Sequence, residues 1–319
     1  MAKQTKQSKP TQPTQPTRQS KQAKRSRRVA NSERQRKLAA LKAEQQRRTR
    51  RVNLAIGSVI VVVLIVMGML VAKAVSGSHP ASADEKPISP AVMTALNNVP
   101  QSVFDIVGVG TATSAPTKLT DAKPLSNGKP VMIYVGGEFC PFCAAERWPL
   151  ALALMRFGSF SHLKQISSSA SDSPPNVSTL SFHGSTYTSR YLAFKPFETT
   201  DRNHNKLDTM PTAEGLLFSK YDNPPYVPSS AANTIPFAYI GGKYVISGSG
   251  YLPTDIANAS HLAIAKALQN AGLKVTTDIV GSANLISAAI CEATKQQPAS
   301  VCATSGVQAA AAQLAKSAG

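Results

Sequence analysis

Val131-Met132-Ile133-Tyr134-Val135, followed by Gly136-Gly137-Glu138-Phe139 and then by Cys140-Pro141-Phe142-Cys143 and a helix-like stretch from Ala144, is the run that decides the fold. A short buried strand here delivers two cysteines, three residues apart, into the first turn of a helix. Residues i and i+3 share one helical face with Cβ atoms about 5–6 Å apart, near enough for a disulfide after small adjustment. At the helix start, Cys140 meets unpaired N–H groups and the positive end of the helix dipole, which favour thiolate over thiol. Cys140 is therefore the candidate attacking sulfur. Cys143, one turn further in and more buried, is the candidate resolving thiol. Pro141 fits the first turn, where no N–H bond is lost.

Away from this run the chain divides unevenly. Residues 1–51 carry 17 Lys+Arg against Glu33 and Glu44, so they hold +15 of the formal +18. The basic balance belongs to a tail, read as disordered from Gln4 to Gln22 and as a thin basic helix from Ser32 to Arg51. No aromatic residue occurs there to stack on a base, so the tail is expected to act as a cytoplasmic topology signal touching anionic lipid, with no nucleic-acid partner.

Leu54 to Ala72 is 19 residues long with Ser58 as its one polar member. As a helix it spans about 28 Å, against a hydrocarbon core of about 30 Å. Residues 52–75 are accordingly expected to be one transmembrane helix, with the N-terminus cytoplasmic and the main domain extracytoplasmic in the cell membrane. Cleavage at Ala81-Ser82-Ala83 is the alternative. All four cysteines, Cys140, Cys143, Cys291 and Cys302, then lie where disulfides persist. Residues 76–89 read as a tether, residues 90–304 as the outer domain and residues 305–319 as a C-terminal tail.

The outer domain alternates in type. Ala91 to Asn97 and Gln101 to Val107 read as short helices, Pro130 to Val135 as a buried strand, and Ala144 to Phe157 as a helix containing Pro149. Strands are expected over Lys164 to Ser168, Val177 to Phe182 and Tyr191 to Phe197, and a helix over Thr212 to Lys220. Ile235 to Ile240 and Lys243 to Ser247 form a hairpin around Gly241-Gly242. Asp255 to Ala271 and Ile279 to Ala293 complete the helices. Interleaved strands and helices argue an α/β sandwich.

The apolar strand, the glycine lead-in, the Cys-Pro-Phe-Cys block and the Pro149-containing helix resemble the thioredoxin superfamily. Thr234-Ile235-Pro236-Phe237, followed by Ala238-Tyr239-Ile240-Gly241-Gly242, looks like the cis-proline loop and hairpin of that superfamily. The resemblance implies a thioredoxin-like sandwich, with Pro236 as the cis-proline beside the active pair and Ile235 as the residue that meets a bound peptide. The segment Ala170 to Pro228 would be an insertion. A closer likeness, over Ile88 to Cys302, is to the membrane-anchored DUF929 family, on the Gly-Gly-Glu-Phe-Cys-Pro-Phe-Cys block, the Ile-Pro-Phe loop, Ser282-Ala283-Asn284, Ile290-Cys291 and Val301-Cys302.

Some positions depart from the superfamily pattern. Tyr134 stands six residues before Cys140, where thioredoxin-type enzymes carry a buried acid; Glu138 is the nearest replacement and is expected to point elsewhere. Phe142 stands where the strongly oxidising periplasmic enzymes have histidine, so a less oxidising potential is expected. Phe139 takes the place of a frequent tryptophan, and with Phe142 it is a candidate substrate contact.

The expected function is a thiol-disulfide oxidoreductase acting on exported cysteine-containing proteins, with an unidentified membrane redox partner and no cofactor or metal. Three alternatives remain for Cys140 and Cys143: a structural disulfide in a non-catalytic binding module, a four-thiolate zinc site shared with Cys291 and Cys302, and a metal chaperone. Cys291 and Cys302 are expected to form a structural disulfide, with a second redox pair as the alternative. Asp201-Arg202-Asn203-His204-Asn205 matches the start of a calcium loop, but Lys206 and Thr212 replace the glycine and glutamate such a loop needs, so a solvated loop is expected.

Overall fold

The computed structural model describes residues 85–120 and 128–317. In chain order the elements begin with β1 (Lys86–Pro87), α1 (Pro90–Asn97), α2 (Gln101–Val107), β2 (Thr117–Lys118), β3 (Val131–Gly136) and α3 (Pro141–Met155). Then come β4 (Gly158–Ser161), β5 (Lys164–Ser167), β6 (Ser178–Ser181), β7 (Thr186–Ser189), β8 (Ala193–Glu198) and α4 (Thr212–Tyr221). The chain continues through β9 (Phe237–Ile240), β10 (Tyr244–Ser247), α5 (His261–Ala267), α6 (Lys274–Ala293), α7 (Ala299–Cys302) and α8 (Ser305–Ser317).

Side chains alternate across a strand, and along β3 both sides are buried. Met132 and Tyr134 point into a large core with Trp148, Leu150 and Leu154 of α3 and Ile279, Val280 and Ile286 of α6. Val131, Ile133 and Val135 point into a second core with Tyr221, Val227, Phe237 and Tyr239. A strand covered on both faces must be apolar throughout, which is why this stretch lacks the polar alternation of a surface strand. The five-stranded sheet runs β2-β10-β9-β3-β8. Within it β3 is parallel to β8 and antiparallel to β9. The result is a mixed α/β fold in which the fully buried strand β3 leads into the cysteine block.

Helix α3 is buried on nearly every side, as expected of a helix that is central rather than amphipathic. It starts at Pro141, three residues before the expected start at Ala144, because Cys140 itself caps it. Pro149 lies inside it as expected. The hairpin β9–β10 turns through Gly241 and Gly242, both at positive φ, a conformation that favours glycine. Two small sheets, β1-β5-β6 and β4-β7, complete the fold, the first with β6 against α3 and the second with β7 against β8.

Several expectations change. The single helix over Asp255 to Ala271 is a 3-10 turn at Pro253–Asp255 followed by α5; the Ser260 side chain accepts from Ala263 N at 3.2 Å and starts the helix late, as serine caps do. Strands β4 and β7 are new, too short and polar to stand out in a hydrophobic pattern. The end of the expected tether is part of the fold, since Lys86 and Pro87 pair with Gln165 and Lys164. Residues 305–317 are helix α8 rather than a free tail, with Val307, Ala310 and Leu314 buried. Its close approach to α2 requires Gly306, where a Cβ would lie 2.2 Å from the Phe104 carbonyl oxygen. The tail 1–51, the expected transmembrane helix 52–75 and most of the tether lie outside the described residues. Among the described residues, no helix is long and apolar enough to cross a membrane.

Cys291 at the end of α6 is bonded to Cys302 in α7, with Cα atoms 5.7 Å apart. The pair is a staple between core elements, and both residues are buried. Closing so short a loop contributes about 2–3 kcal/mol. Replacing both cysteines by alanine is expected to lower the unfolding free energy by that amount, as measured by urea denaturation, while Cys140 remains as reactive toward alkylation as before.

Candidate functional site

The site is built where β3 runs out. Gly136-Gly137-Glu138-Phe139 turns the chain from strand to helix, and neighbouring segments fasten this turn. Glu138 N donates to Thr200 O at 2.8 Å, and Ser169 N donates to Phe139 O at 2.8 Å. Gly137 is needed for the approach of the Ile235 loop, because a Cβ there would meet the Phe139 ring at 2.6 Å and Ile235 Cδ1 at 3.2 Å.

Cys140 is the N-cap of α3, and its sulfur accepts from Cys143 N at 3.3 Å. Both cysteines are free thiols, and they differ in environment. Cys140 is 8% exposed and Cys143 is fully enclosed. The Cys143 thiol hydrogen-bonds to Cys140 and holds its ionisation below the ordinary cysteine range against the opposing effect of burial; the Cys143 N–H and the Arg147 charge add to this. Burial pushes Cys143 well above the ordinary range, and the hydrogen bond to Cys140 pushes it the same way. This is the division of labour required of an attacking and a resolving thiol.

The other expected site residues gather around Cys140. Ile235 and Pro236 are joined by a cis peptide bond, and the Cys140 thiol points at Ile235 O, 3.9 Å away. Phe142 is 43% exposed beside the pair. Phe139 is partly buried, with its ring centroid 4.4 Å from that of His204. Cys291 and Cys302 are bonded to each other and so contribute no thiolates to a four-cysteine zinc site. Among the described residues, no group of three or more His, Cys, Asp and Glu side chains is placed to hold a metal. Asp201 is buried rather than solvated, and its carboxylate is occupied by Asn203 N and Asn205 N, both at 2.8 Å.

The least foreseen part of the site lies beneath the cysteines. Arg147, one turn after Cys143, is fully enclosed and forms a two-pronged ion pair with Glu198 at the end of β8, Nε to Oε1 and Nη2 to Oε2, both 2.7 Å. Its Nη2 also donates to Gly137 O at 2.7 Å. Burial works against the guanidinium charge, and Glu198 outweighs that effect. Two signals in the sequence could have found the pair: an arginine at i+4 from Cys143, and a glutamate closing the strand Ala193-Phe194-Lys195-Pro196-Phe197. Glu138 turns away from the cysteines as expected, accepting from Ser181 Oγ at 2.5 Å. Burial raises its carboxyl to about 8, and it does the same to Glu146, which accepts from Gly250 N at 3.1 Å.

The fold and site define a mixed α/β protein that carries an unequal dithiol at a strand-to-helix turn. The family model described as "Domain of unknown function (DUF929)" matches residues 115–292, and the chain belongs to that family. No curated protein matches the chain, and no solved structure does.

Two predictions follow from the buried charges. Glu198→Ala leaves the Arg147 charge enclosed without its partner and is expected to cost about 3–5 kcal/mol of stability in urea. Glu138 and Glu146 ionise near 4.5 ordinarily and near 8 when folded. The folded state therefore binds more protons than the unfolded chain in that window, and the stability these groups provide falls as pH rises from about 4.5 to about 8. Urea midpoints should be lower at the upper end of the window than at the lower end, with a smaller difference in Glu146→Gln.

Proposed function

We propose that this protein is a membrane-anchored extracytoplasmic thiol-disulfide oxidoreductase acting on cysteines of exported proteins. The observation that carries this proposal is the inequality of the two thiols: Cys140 capping the helix with its ionisation eased, Cys143 enclosed with its ionisation opposed. The substrate's sulfur meets Cys140, and Cys143 resolves the mixed disulfide. Ile235 offers its backbone to the substrate chain, while Phe139 and Phe142 give apolar contact around the pair. The chemistry needs no cofactor, since the electrons pass between sulfurs.

The strand order supports a thioredoxin-like sandwich. In the series β8-β3-β9-β10, the motif strand is parallel to one neighbour and antiparallel to the other, and the cis Ile235–Pro236 bond lies beside the first cysteine. Membrane anchoring is supported by the apolar stretch Leu54 to Ala72 following a tail rich in Lys and Arg. That tail would contact anionic lipid, and a membrane redox partner would restore the pair between turnovers.

A non-catalytic binding module is the second reading, favoured by the low exposure of Cys140. In that case the dithiol is a permanent disulfide, and Cys140 resists alkylation even after reduction. The enzyme reading predicts that the protein re-pairs a scrambled cysteine-containing substrate and that Cys140→Ser lowers this rate at least about a hundredfold, on the scale of lost nucleophiles. Cys143→Ser should accumulate a mixed disulfide with the substrate. Exchange by Cys140→Ser at the native rate would rule out the proposed nucleophile.

A further inference from the structure

From Asp222 to Pro236 the chain reads Asp-Asn-Pro-Pro-Tyr-Val-Pro-Ser-Ser-Ala-Ala-Asn-Thr-Ile-Pro. It leaves the end of α4 at Asp222 and returns at Ile235–Pro236 beside Cys140. Pro224, Pro225 and Pro228 bring no N–H, so side chains at the two ends carry the fastening. Asp222 takes the largest part. Thr234 N donates to its Oδ2 at 2.7 Å, and Asn233 N donates to its backbone carbonyl at 2.8 Å. Asn223 and Asn233 add a reciprocal pair, each Nδ2 donating to the other's Oδ1 at 3.1 Å. Asn233 stands at a φ of 57°, a left-handed position that asparagine tolerates better than most residues. Four hydrogen bonds thus join the C-terminal end of α4 to the two residues before Ile235.

Burial separates Asp222 from an ordinary surface turn. Asn233 and Thr234 are exposed, whereas Asp222 is fully enclosed. A buried carboxylate is costly unless it is well hydrogen-bonded, and a charged acceptor holds an N–H about twice as strongly as a neutral one. The residue next to the fastened Thr234 N–H is Ile235. Its own N–H makes no hydrogen bond among the described residues, and its carbonyl oxygen has the Cys140 thiol, 3.9 Å away, as its one hydrogen-bond neighbour there. An extended chain added to a strand pairs with the N–H and the C=O of a single residue. Ile235 offers both beside the attacking sulfur, and Asp222 fixes the backbone immediately before them.

We propose that Asp222 is a positioning residue for substrate recognition, holding the Thr234–Ile235 backbone where an extended substrate chain pairs with Ile235 while its sulfur meets Cys140. This rests on the oxidoreductase reading and deepens it. The end of α4 becomes the anchor of the recognition edge, and the edge distinguishes a substrate with a peptide backbone from a small thiol without one. Asp222 touches neither the substrate nor the reacting sulfurs. Its effect is on how well a peptide is held and not on how fast Cys140 attacks once the peptide is in place.

The test uses the full chain carrying Cys143→Ser, in which Cys140 is the one free thiol beside the Cys291–Cys302 bond. Two mixed disulfides of thionitrobenzoate serve as probes, one with a short extended peptide holding a single central cysteine and one with mercaptoethanol, which has no backbone to pair. In each, the Cys140 thiolate attacks the other sulfur of the probe and bonds to it, the bond to thionitrobenzoate breaks, and thionitrobenzoate leaves as a coloured thiolate with the electron pair. Adding Asp222→Ala should raise the peptide concentration for half-maximal rate about tenfold, on the scale of one hydrogen bond to a charged group, with the maximal rate and the mercaptoethanol rate unchanged. Asp222→Asn keeps an oxygen for Thr234 N and should recover most of that loss. Half-saturation unmoved by Asp222→Ala overturns the proposal and leaves the oxidoreductase reading intact. An equal loss with both probes, which a merely structural role would give, does the same. A single-thiol parent that reacts with the mercaptoethanol probe but not saturably with the peptide also overturns the proposal alone, and one that reacts with neither overturns both readings. If Asp222→Ala does not fold, Asn233→Gly keeps the left-handed backbone and removes the amide pair: a raised half-saturation for the peptide alone supports the proposal, and an unchanged one overturns it.

Discussion

The ion pair between Arg147 and Glu198 is the interaction on which the site depends. One guanidinium ties α3 to the end of β8 and, through Gly137 O, to the turn that carries the cysteines. These are the three pieces that must keep fixed positions for Cys140 to cap its helix. A buried pair of this kind gives little net stability compared with apolar packing, but it is very costly to break on one side. Its geometric value is greater. Glu198 is in register with Gly136 across the parallel β3–β8 ladder, so the sheet register sets the place of the charge beneath the dithiol.

The same pair puts a charge near the dithiol where the expected polar groups are missing. Phe142 supplies no imidazolium, and Tyr134 supplies no carboxylate. A permanent positive charge one turn below Cys143, paired with Glu198, favours ionisation of both thiols from within the core. The surface around Cys140 is then free to be apolar, with Phe139, Phe142 and Ile235 around it.

Much of this was legible in the sequence because local physics decided it. The uninterrupted apolar run Val131 to Val135 announced a strand covered on both faces, and the spacing of Cys140 and Cys143 announced a helix start. Ile235-Pro236 stood out before a hairpin marked by Gly241-Gly242. The features that escaped depend on long-range pairing. Arg147 read as an ordinary helix residue until β8 supplied Glu198, 51 positions away. Strands β4 and β7 are polar and brief, so only their mutual pairing defines them. Helix α8 was hidden by its small side chains: an alanine-rich stretch resembles a tail until Gly306 is seen to let it press against α2.

The central claim is that Cys140 and Cys143 form a working redox pair and that Cys291 and Cys302 form a staple. Equilibrating the full chain in glutathione and dithiothreitol buffers, and reading the Cys140–Cys143 state by alkylation, tests it most directly. The account predicts a midpoint between about −120 and −270 mV, the span of thiol-disulfide enzymes. A pair that stays closed below about −300 mV would be a structural disulfide and would contradict the account.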